Sequence, residues 1–286
     1  MKRIFAILAL SLTLSACAQE PELTKIVAHR GMWKENAENS IASLKAAQEF
    51  GCWGSEFDLH LTADNFVVVN HDPTIKGTKI HTSPLEEVRQ HSLKNGEKVP
   101  LLEEYLKQGT QSSCVLVLEL KPHDAQERED ILIDKCLKAL QEYKLMDPGR
   151  IAFISFSYYI CKELAQKCPG YTVQYLEGDK SPAEVNADGI NGIDYHYSKF
   201  QKHPEWVKEA HDLGMSVNAW TVDKADDIRQ MRDLGVDQIT TNDPILTREI
   251  IQEKKKKCPS TKKPSAAGLR TSPARRPCWR LSWRWA

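Results

Sequence analysis

Between Glu56 and Asp72 the chain reads Glu-Phe-Asp-Leu-His-Leu-Thr-Ala-Asp-Asn-Phe-Val-Val-Val-Asn-His-Asp, two carboxylates spaced by two followed at some distance by a histidine. Asp64-Asn65 suits a two-residue primed turn between runs rich in Val, Phe and Leu, because Asp and Asn tolerate positive φ better than most residues. That turn opposes Asp58 to His71, with Cβ atoms about 5 Å apart, and puts Glu56 on the same face one diagonal step away. The chemistry implied is a metal site beside a proton carrier.

Further reactive side chains close other apolar runs. His29-Arg30-Gly31 follows Ile26-Val27-Ala28, Glu119-Leu120-Lys121 ends the run from Val115, and Trp220 ends the run from Ser216. Glu119 interrupts Val115-Leu116-Val117-Leu118, where an unpaired buried carboxylate costs roughly several kcal/mol, so it needs a cation or a partner. Glu56, Asp58 and Glu119 without a cysteine or histidine ligand make a hard oxygen site, suited to one divalent cation, Ca2+ or Mg2+, rather than zinc. Such a cation binds a phosphate oxygen, Arg30 and Lys121 neutralise the remaining phosphate charge, and His29 and His71 give and take protons. His60, His81, His91, His123, His196, His203 and His211 read as structural.

These residues need a scaffold that gathers strand ends. Short β-like runs alternate with helical patterns from Lys25 onward: 26–28, 55–59, 115–120, 151–155, 172–176, 189–193, 216–220 and 236–240 as strands, with helices over 40–50, 124–143, 158–167, 204–213, 224–234 and 244–253. Eight strands in such alternation predict a (β/α)8 TIM-type barrel over residues 25–253, whose working residues sit at the C-terminal strand ends. The run 66–70 is a ninth strand, and its short connection forces it to return antiparallel after the second barrel strand. Residues 73–114 exceed a simple connection and predict a small lobe shaping the substrate entrance, with a short helix near 84–90.

Composition narrows the class. With 41% hydrophobic and 27% charged residues the chain is globular in character. Its formal charge of zero conceals an asymmetry: 11 of the 39 Lys and Arg lie in residues 254–286, which hold no acid, leaving 28 against 39 acids in the rest. An acidic body argues against a nucleic-acid-binding surface. The Lys-, Pro-, Ser- and Arg-rich stretch 254–286, with Trp279, Trp283 and Trp285 among arginines, has no core-building period and predicts a basic disordered tail. Residues 1–16 read as an export signal, Lys2-Arg3 then an apolar run too short to span a bilayer. Leu14-Ser15-Ala16-Cys17 resembles a bacterial lipobox, which implies acylation at Cys17, a tether over 17–24 and attachment to a membrane of the bacterial cell envelope. The remaining cysteines show no zinc spacing and are expected as free thiols.

The ordered set Ala28-His29-Arg30-Gly31, Glu38-Asn39-Ser40, Glu56-x-Asp58, Thr62-x-Asp64, His71-Asp72, Glu119-x-Lys121 and Trp220 resembles the glycerophosphodiester phosphodiesterase family over nearly all of residues 25–250. Two positions depart from the family pattern: Ala37 stands where it usually has proline, and Asn65 where it has glycine. The resemblance implies hydrolysis of glycerophosphodiesters to glycerol 3-phosphate and an alcohol, a divalent cation held by Glu56, Asp58 and Glu119, and His29 and His71 as the acid–base pair. Arg30, Lys121, Asn39 and Trp220 are expected at the substrate, with Trp220 against the glycerol carbons. Attack by a glycerol hydroxyl through a cyclic phosphate and direct attack by water both stay open. So do related substrates, namely lysophospholipids, phosphoinositides or glycerol phosphate polymers, and a non-catalytic lipoprotein that binds phosphate compounds.

Overall fold

The computed structural model describes residues 23–253. The expected export segment, Cys17, most of the tether and the tail from 254, with Cys258 and Cys278, lie outside the described residues.

In chain order the strands are β1 (Lys25–Ala28), β2 (Gly54–Leu61), β3 (Val67–Val69), β4 (Thr74–Ile75), β5 (Thr78–Lys79), β6 (Val115–Leu120), β7 (Ile151–Ser155), β8 (Thr172–Tyr175), β9 (Gly192–His196), β10 (Ser216–Trp220) and β11 (Gln238–Thr241). The helices are α1 (Ile41–Phe50), α2 (Leu85–Val88), α3 (Leu102–Gly109), α4 (Gln126–Glu142), α5 (Tyr158–Lys167), α6 (Pro182–Ala187), α7 (Tyr197–Lys202), α8 (Glu205–Asp212), α9 (Ala225–Leu234) and α10 (Pro244–Gln252). All strands except β3, β4 and β5 are parallel neighbours in the order β1-β11-β10-β9-β8-β7-β6-β2, and pairing of β1 with β2 closes the ring. The eight-stranded barrel expected from the strand count is the architecture observed.

Strand β6 shows how sequence period aims the site. Every residue of Val-Leu-Val-Leu-Glu-Leu is buried, as a parallel strand covered on both faces requires. Leu116, Leu118 and Leu120 join the large cluster under the helices, whereas Val115 and Val117 pack with Val27, Ala152 and Ile154 inside the barrel. Glu119 shares the parity of those valines, so the period of two turns it inward. Above that apolar floor the interior becomes polar: the Gln174 side-chain amide donates to Gln238 Oε1 at 3.3 Å, and that of Asn218 to Thr240 Oγ1 at 2.8 Å.

Local signals set the helix ends. The Ser40, Ser157 and Ser181 hydroxyls and the Asp243 carboxylate accept first-turn amides of α1, α5, α6 and α10, and prolines follow the last two of these caps directly. Gly31 has φ of +77°, and a Cβ there would meet Ser43 Oγ at 2.5 Å, so only glycine lets the loop after β1 pass so close to α1.

Three expectations need correction. First, the β2–β3 register pairs Leu59 with Val69 and Leu61 with Val67, so Asp58 lies across from Asn70, whose amide donates to its carbonyl at 3.1 Å, and not from His71. The turn is a three-residue loop: the Thr62 amide bonds to the Phe66 carbonyl, and only Asn65, at φ +65°, is left-handed, so no two-residue primed turn forms. Second, the sixth barrel strand begins at Gly192 rather than Gly189, because Gly189, at φ +82°, still belongs to the turn leaving α6. Third, the lobe is shorter than residues 73–114. It consists of the β4–β5 hairpin, a 3-10 turn at Ile80–Thr82 and α2, and α3 instead takes a barrel-helix place between α1 and α4 with Tyr105 and Leu106 fully buried. Helices α6 and α7, absent from the sequence reading, are short and carry little apolar period. The described cysteines, Cys52, Cys114, Cys136, Cys161 and Cys168, are buried free thiols.

Candidate active site

The barrel register gathers the acids. Asp58 pairs with Glu119 across β2 and β6, and Glu56 sits one inward step below Asp58. Among the described residues, Glu56, Asp58 and Glu119 form the only group of acid, histidine or cysteine side chains offering three ligand atoms within 4.8 Å of one another, and all are buried. Lys121 bridges two of them, with Nζ 2.7 Å from Asp58 Oδ1 and 2.5 Å from Glu119 Oε1. The Arg30 amide donates to Glu56 Oε2 at 2.8 Å, while its guanidinium bonds Glu38 at 2.7 Å and reaches 3.8 Å from Asp58.

Two backbone outliers support this arrangement. Arg30 and Asn39 hold φ near +56° and +59°, sparsely populated for side-chain-bearing residues. Asn39 thereby turns its amide to Asp58, Nδ2 donating to Oδ2 at 2.7 Å and Oδ1 accepting from the Asp58 amide at 3.2 Å. Its side-chain bonds go to Asp58, and the cap of α1 comes from Ser40.

The charges are unequal partners. Burial opposes ionisation of Asp58, but the Lys121 ammonium, with the Asn39 amide, overcomes it and holds the carboxyl below the usual range. Burial and then the Asp58 charge push Glu119 up to about 8. Glu56 is raised well above its ordinary value by burial and by the charges of Asp58 and Glu119. Lys121 is held charged despite burial by Asp58 and Glu119.

This donor set fits a hard divalent cation. Glu56 Oε1 is buried with no hydrogen-bond partner, and Asp58 Oδ1 and Glu119 Oε1 have only the Lys121 ammonium. An unsatisfied buried carboxylate oxygen is costly, and oxygen-only ligands are what Ca2+ and Mg2+ take.

The two histidines stand at the same opening, each fixed through Nδ1. A cavity of about 220 Å³ is lined by His29, Arg30, Glu56, His71, Glu119 and Lys121, with Trp220 on its wall. His29 Nδ1 lies 2.9 Å from Asn242 Oδ1, which also accepts from Trp33 Nε1 at 3.0 Å, while the Asn242 Nδ2 donates to Asp223 at 2.8 Å. The Asp223 contact settles the amide orientation, so His29 donates from Nδ1 and carries its lone pair on Nε2. Burial, and then the Arg30 charge, lower its pKa to about 4. His71 Nδ1 is 2.7 Å from Asp72 Oδ1. Trp220 donates from Nε1 to the Asp194 carbonyl at 2.8 Å and meets Phe156 edge-on at 5.6 Å. A second cleft of about 390 Å³ shares His71 and runs between the loop after β1 (Trp33, Lys34) and the lobe (Ile75, Lys76, Leu93, Lys94).

Sequence reasoning missed Asn242, Asp223 and Asp194. Asn242 follows β11 directly, so the rule that strand ends carry function pointed to it, but an expected strand ending at 240 stopped short. Asp194 was hidden by the misplaced sixth strand. It lines the cavity, fully buried, and burial together with the Glu119 charge raises its pKa well above the ordinary range.

Comparisons with known proteins place the chain in a family. A glycerophosphodiester phosphodiesterase of Caldanaerobacter subterraneus subsp. tengcongensis is 30% identical over 240 residues, covering 77% of this chain and 95% of that protein. One from Bacillus altitudinis is 26% identical over 249 residues, covering 82% of this chain and 100% of its own. The crystal structure of a glycerophosphodiester phosphodiesterase from Parabacteroides distasonis superposes with a TM-score of 0.78 at 44% identity, over 81% of this chain and 98% of that one. The sequence profile of the glycerophosphoryl diester phosphodiesterase family matches residues 29–246, from the first cavity histidine to the start of α10, and the chain belongs to that family.

Proposed function

We propose that this protein hydrolyses glycerophosphodiesters to sn-glycerol 3-phosphate and an alcohol by histidine acid–base catalysis dependent on one divalent cation. The observation that carries the reading is the convergence of Glu56, Glu119, Arg30, Lys121, His29 and His71 on one cavity at the barrel mouth. Membership of a family of phosphodiesterases supports the reaction class.

Glu56, Asp58 and Glu119 would hold the cation, either Ca2+ or Mg2+. When bound, it supplies a Lewis acid that draws charge from a phosphate oxygen. Arg30 and Lys121 bind the diester's negative charge. His29, kept neutral by burial with Nε2 unprotonated, takes the proton from the attacking hydroxyl, and His71, its ring oriented by Asp72, delivers one to the departing alcohol oxygen. The cavity receives the glycerol phosphate, with Trp220 beside the glycerol carbons, and the wider cleft beyond His71 receives the alcohol. The nucleophile is either the substrate's free glycerol hydroxyl, through a cyclic phosphate, or water; trapping the cyclic product in single-turnover analysis distinguishes them.

Assaying a panel of glycerophosphodiesters with each cation, by enzymatic detection of glycerol 3-phosphate, tests the proposal. Absence of product across the panel overturns it. The apolar residues Trp33, Ile75 and Leu93 in the wider cleft favour a second reading in which lysophospholipids are turned over at the same site. Lysolipid hydrolysis without release from soluble diesters would select it.

We also propose that acylation at Cys17 anchors the protein to a membrane of the bacterial cell envelope, on the sequence of residues 1–17 alone. Metabolic labelling with a radioactive fatty acid, lost in Cys17→Ser, is the expected result; equal labelling of the variant refutes it.

A further inference from the structure

We propose that His60 is a positioning residue for His71, acting at the head of a chain of three imidazoles that ties the lobe to the barrel mouth behind the site. The proposal rests on the hydrolase reading above, in which His71 exchanges protons with substrate.

His60 follows Asp58 by two on β2, so it faces the same side, and its ring is buried at 3% exposure. Its Nε2 lies 3.0 Å from the His71 carbonyl oxygen. A carbonyl only accepts, so Nε2 carries a hydrogen and, in a neutral ring, Nδ1 is a lone pair. That lone pair faces His81 Nε2 at 2.8 Å, so His81 donates to it. The His81 ring stacks on His123, centroids 4.1 Å apart and planes within 18°. His123 Nδ1 lies 2.9 Å from the Lys121 carbonyl and therefore donates, leaving Nε2 to accept the Leu61 amide at 3.4 Å.

One assignment of hydrogens satisfies every contact with all three rings uncharged. The chain ends on two backbone carbonyls, those of His71 and Lys121, residues that present their side chains to the cavity. The His71 segment has left the sheet, since β3 stops at Val69. On its barrel side, the Asn70 amide on the Asp58 carbonyl and His60 on the His71 carbonyl hold it. Removing the His60 bond frees the peptide from which the His71 ring projects, and about 1 Å of misplacement costs on the order of a hundredfold in rate. Among the described residues the three rings do not form a three-ligand group; only Glu56, Asp58 and Glu119 do.

Steady-state kinetics of His60→Leu, His60→Gln, His71→Ala and the double variant His60→Leu/His71→Ala test this. Glutamine can still donate from its amide toward the His71 carbonyl, and leucine cannot. His60→Leu is expected to lower kcat by roughly 10- to 100-fold with KM within about twofold, and His60→Gln to recover most of it. In the His71→Ala background the same substitution should cost nothing further, because the group it positions is gone. An equal loss in both backgrounds, or full kcat in His60→Leu, overturns the proposal. Long-range 1H–15N spectra of the imidazoles require neither turnover nor a variant: His60 should show the Nε2–H form and His123 the Nδ1–H form. A His60 hydrogen on Nδ1 refutes the network, whereas correct tautomers in an enzyme that cleaves no diester would fault the hydrolase reading instead.

Discussion

Asn242 accepts the Nδ1–H of His29 at 2.9 Å across 213 positions of sequence, and through this bond the end of the last barrel strand fixes which nitrogen of the first cavity histidine is free. Asp223 holds the Asn242 amide from behind, with Oδ2 2.8 Å from Nδ2 and Oδ1 2.8 Å from the backbone amide. A hydrogen-bonded chain of three residues therefore presents the His29 lone pair to the cavity.

Replacing Asn242 with leucine removes the acceptor and leaves His29 free to adopt the other tautomer. The expected loss is at least about 10- to 100-fold in kcat, the cost of removing the partner that orients a metal-bound imidazole, with little change in melting temperature. A kcat equal to that of the parent enzyme would show that His29 does not need this partner.

Cation binding should depend on pH in a direction set by Glu119 and Glu56. Both are raised, Glu119 to about 8, so at pH 7 the cation-free site retains protons that binding must expel. Apparent affinity for Ca2+ or Mg2+ should therefore rise with pH toward 8, by up to about tenfold per unit for each proton displaced. Calorimetry in buffers of different ionisation enthalpy reads the released protons directly. Glu119→Gln should weaken binding strongly while leaving the protein folded, and excess EDTA should abolish turnover of the parent enzyme.

His29→Ala and His71→Ala should each lower kcat by roughly 10²- to 10⁴-fold, the contribution of one proton-transfer group. The loss belongs in kcat rather than KM, since in the proposed mechanism phosphate binding falls to Arg30 and Lys121. Retention of more than a tenth of the parent kcat in either variant would remove that histidine from the mechanism.

Lys76 and Lys94 line the wider cleft, are exposed and make no ion pair among the described residues, whereas Lys34 is held by Asp243 at 2.6 Å. Alcohols bearing an extra negative charge should therefore be preferred over choline. In the double variant Lys76→Gln/Lys94→Gln the kcat/KM ratio between glycerophosphoinositol 4-phosphate and glycerophosphocholine should fall by roughly fivefold to tenfold, about 1 kcal/mol for exposed charges, with glycerophosphocholine turnover unchanged.

Much of this was legible in the sequence because parity and strand ends are local properties. Glu119 announced itself as an acid in an apolar run, and the period of two that buries Val115 and Val117 also turns it inward. Four of the eight barrel-strand predictions began on the observed residue, because β-branched runs bounded by polar turns mark strand starts. What escaped depended on geometry that a pattern does not encode. The Asn65 loop carries one left-handed residue where the sequence suited two, which shifts the pairing by one position. Gly189 looked like a strand start but serves the turn before it, and this displaced Asp194. The partnership of His60 with His81 and His123 joins three separate segments, and no spacing rule connects them.

Pairing of β1 with β11 has a temporal consequence for the newly made protein. A ribosome releases His29 early and Asn242 near the end of the barrel, so every shorter nascent intermediate holds the first histidine without the residue that orients it. The His29 lone pair is thus fixed in place only with ring closure, and a chain terminated before position 242 would carry both imidazoles and all three acids while lacking this final fastening.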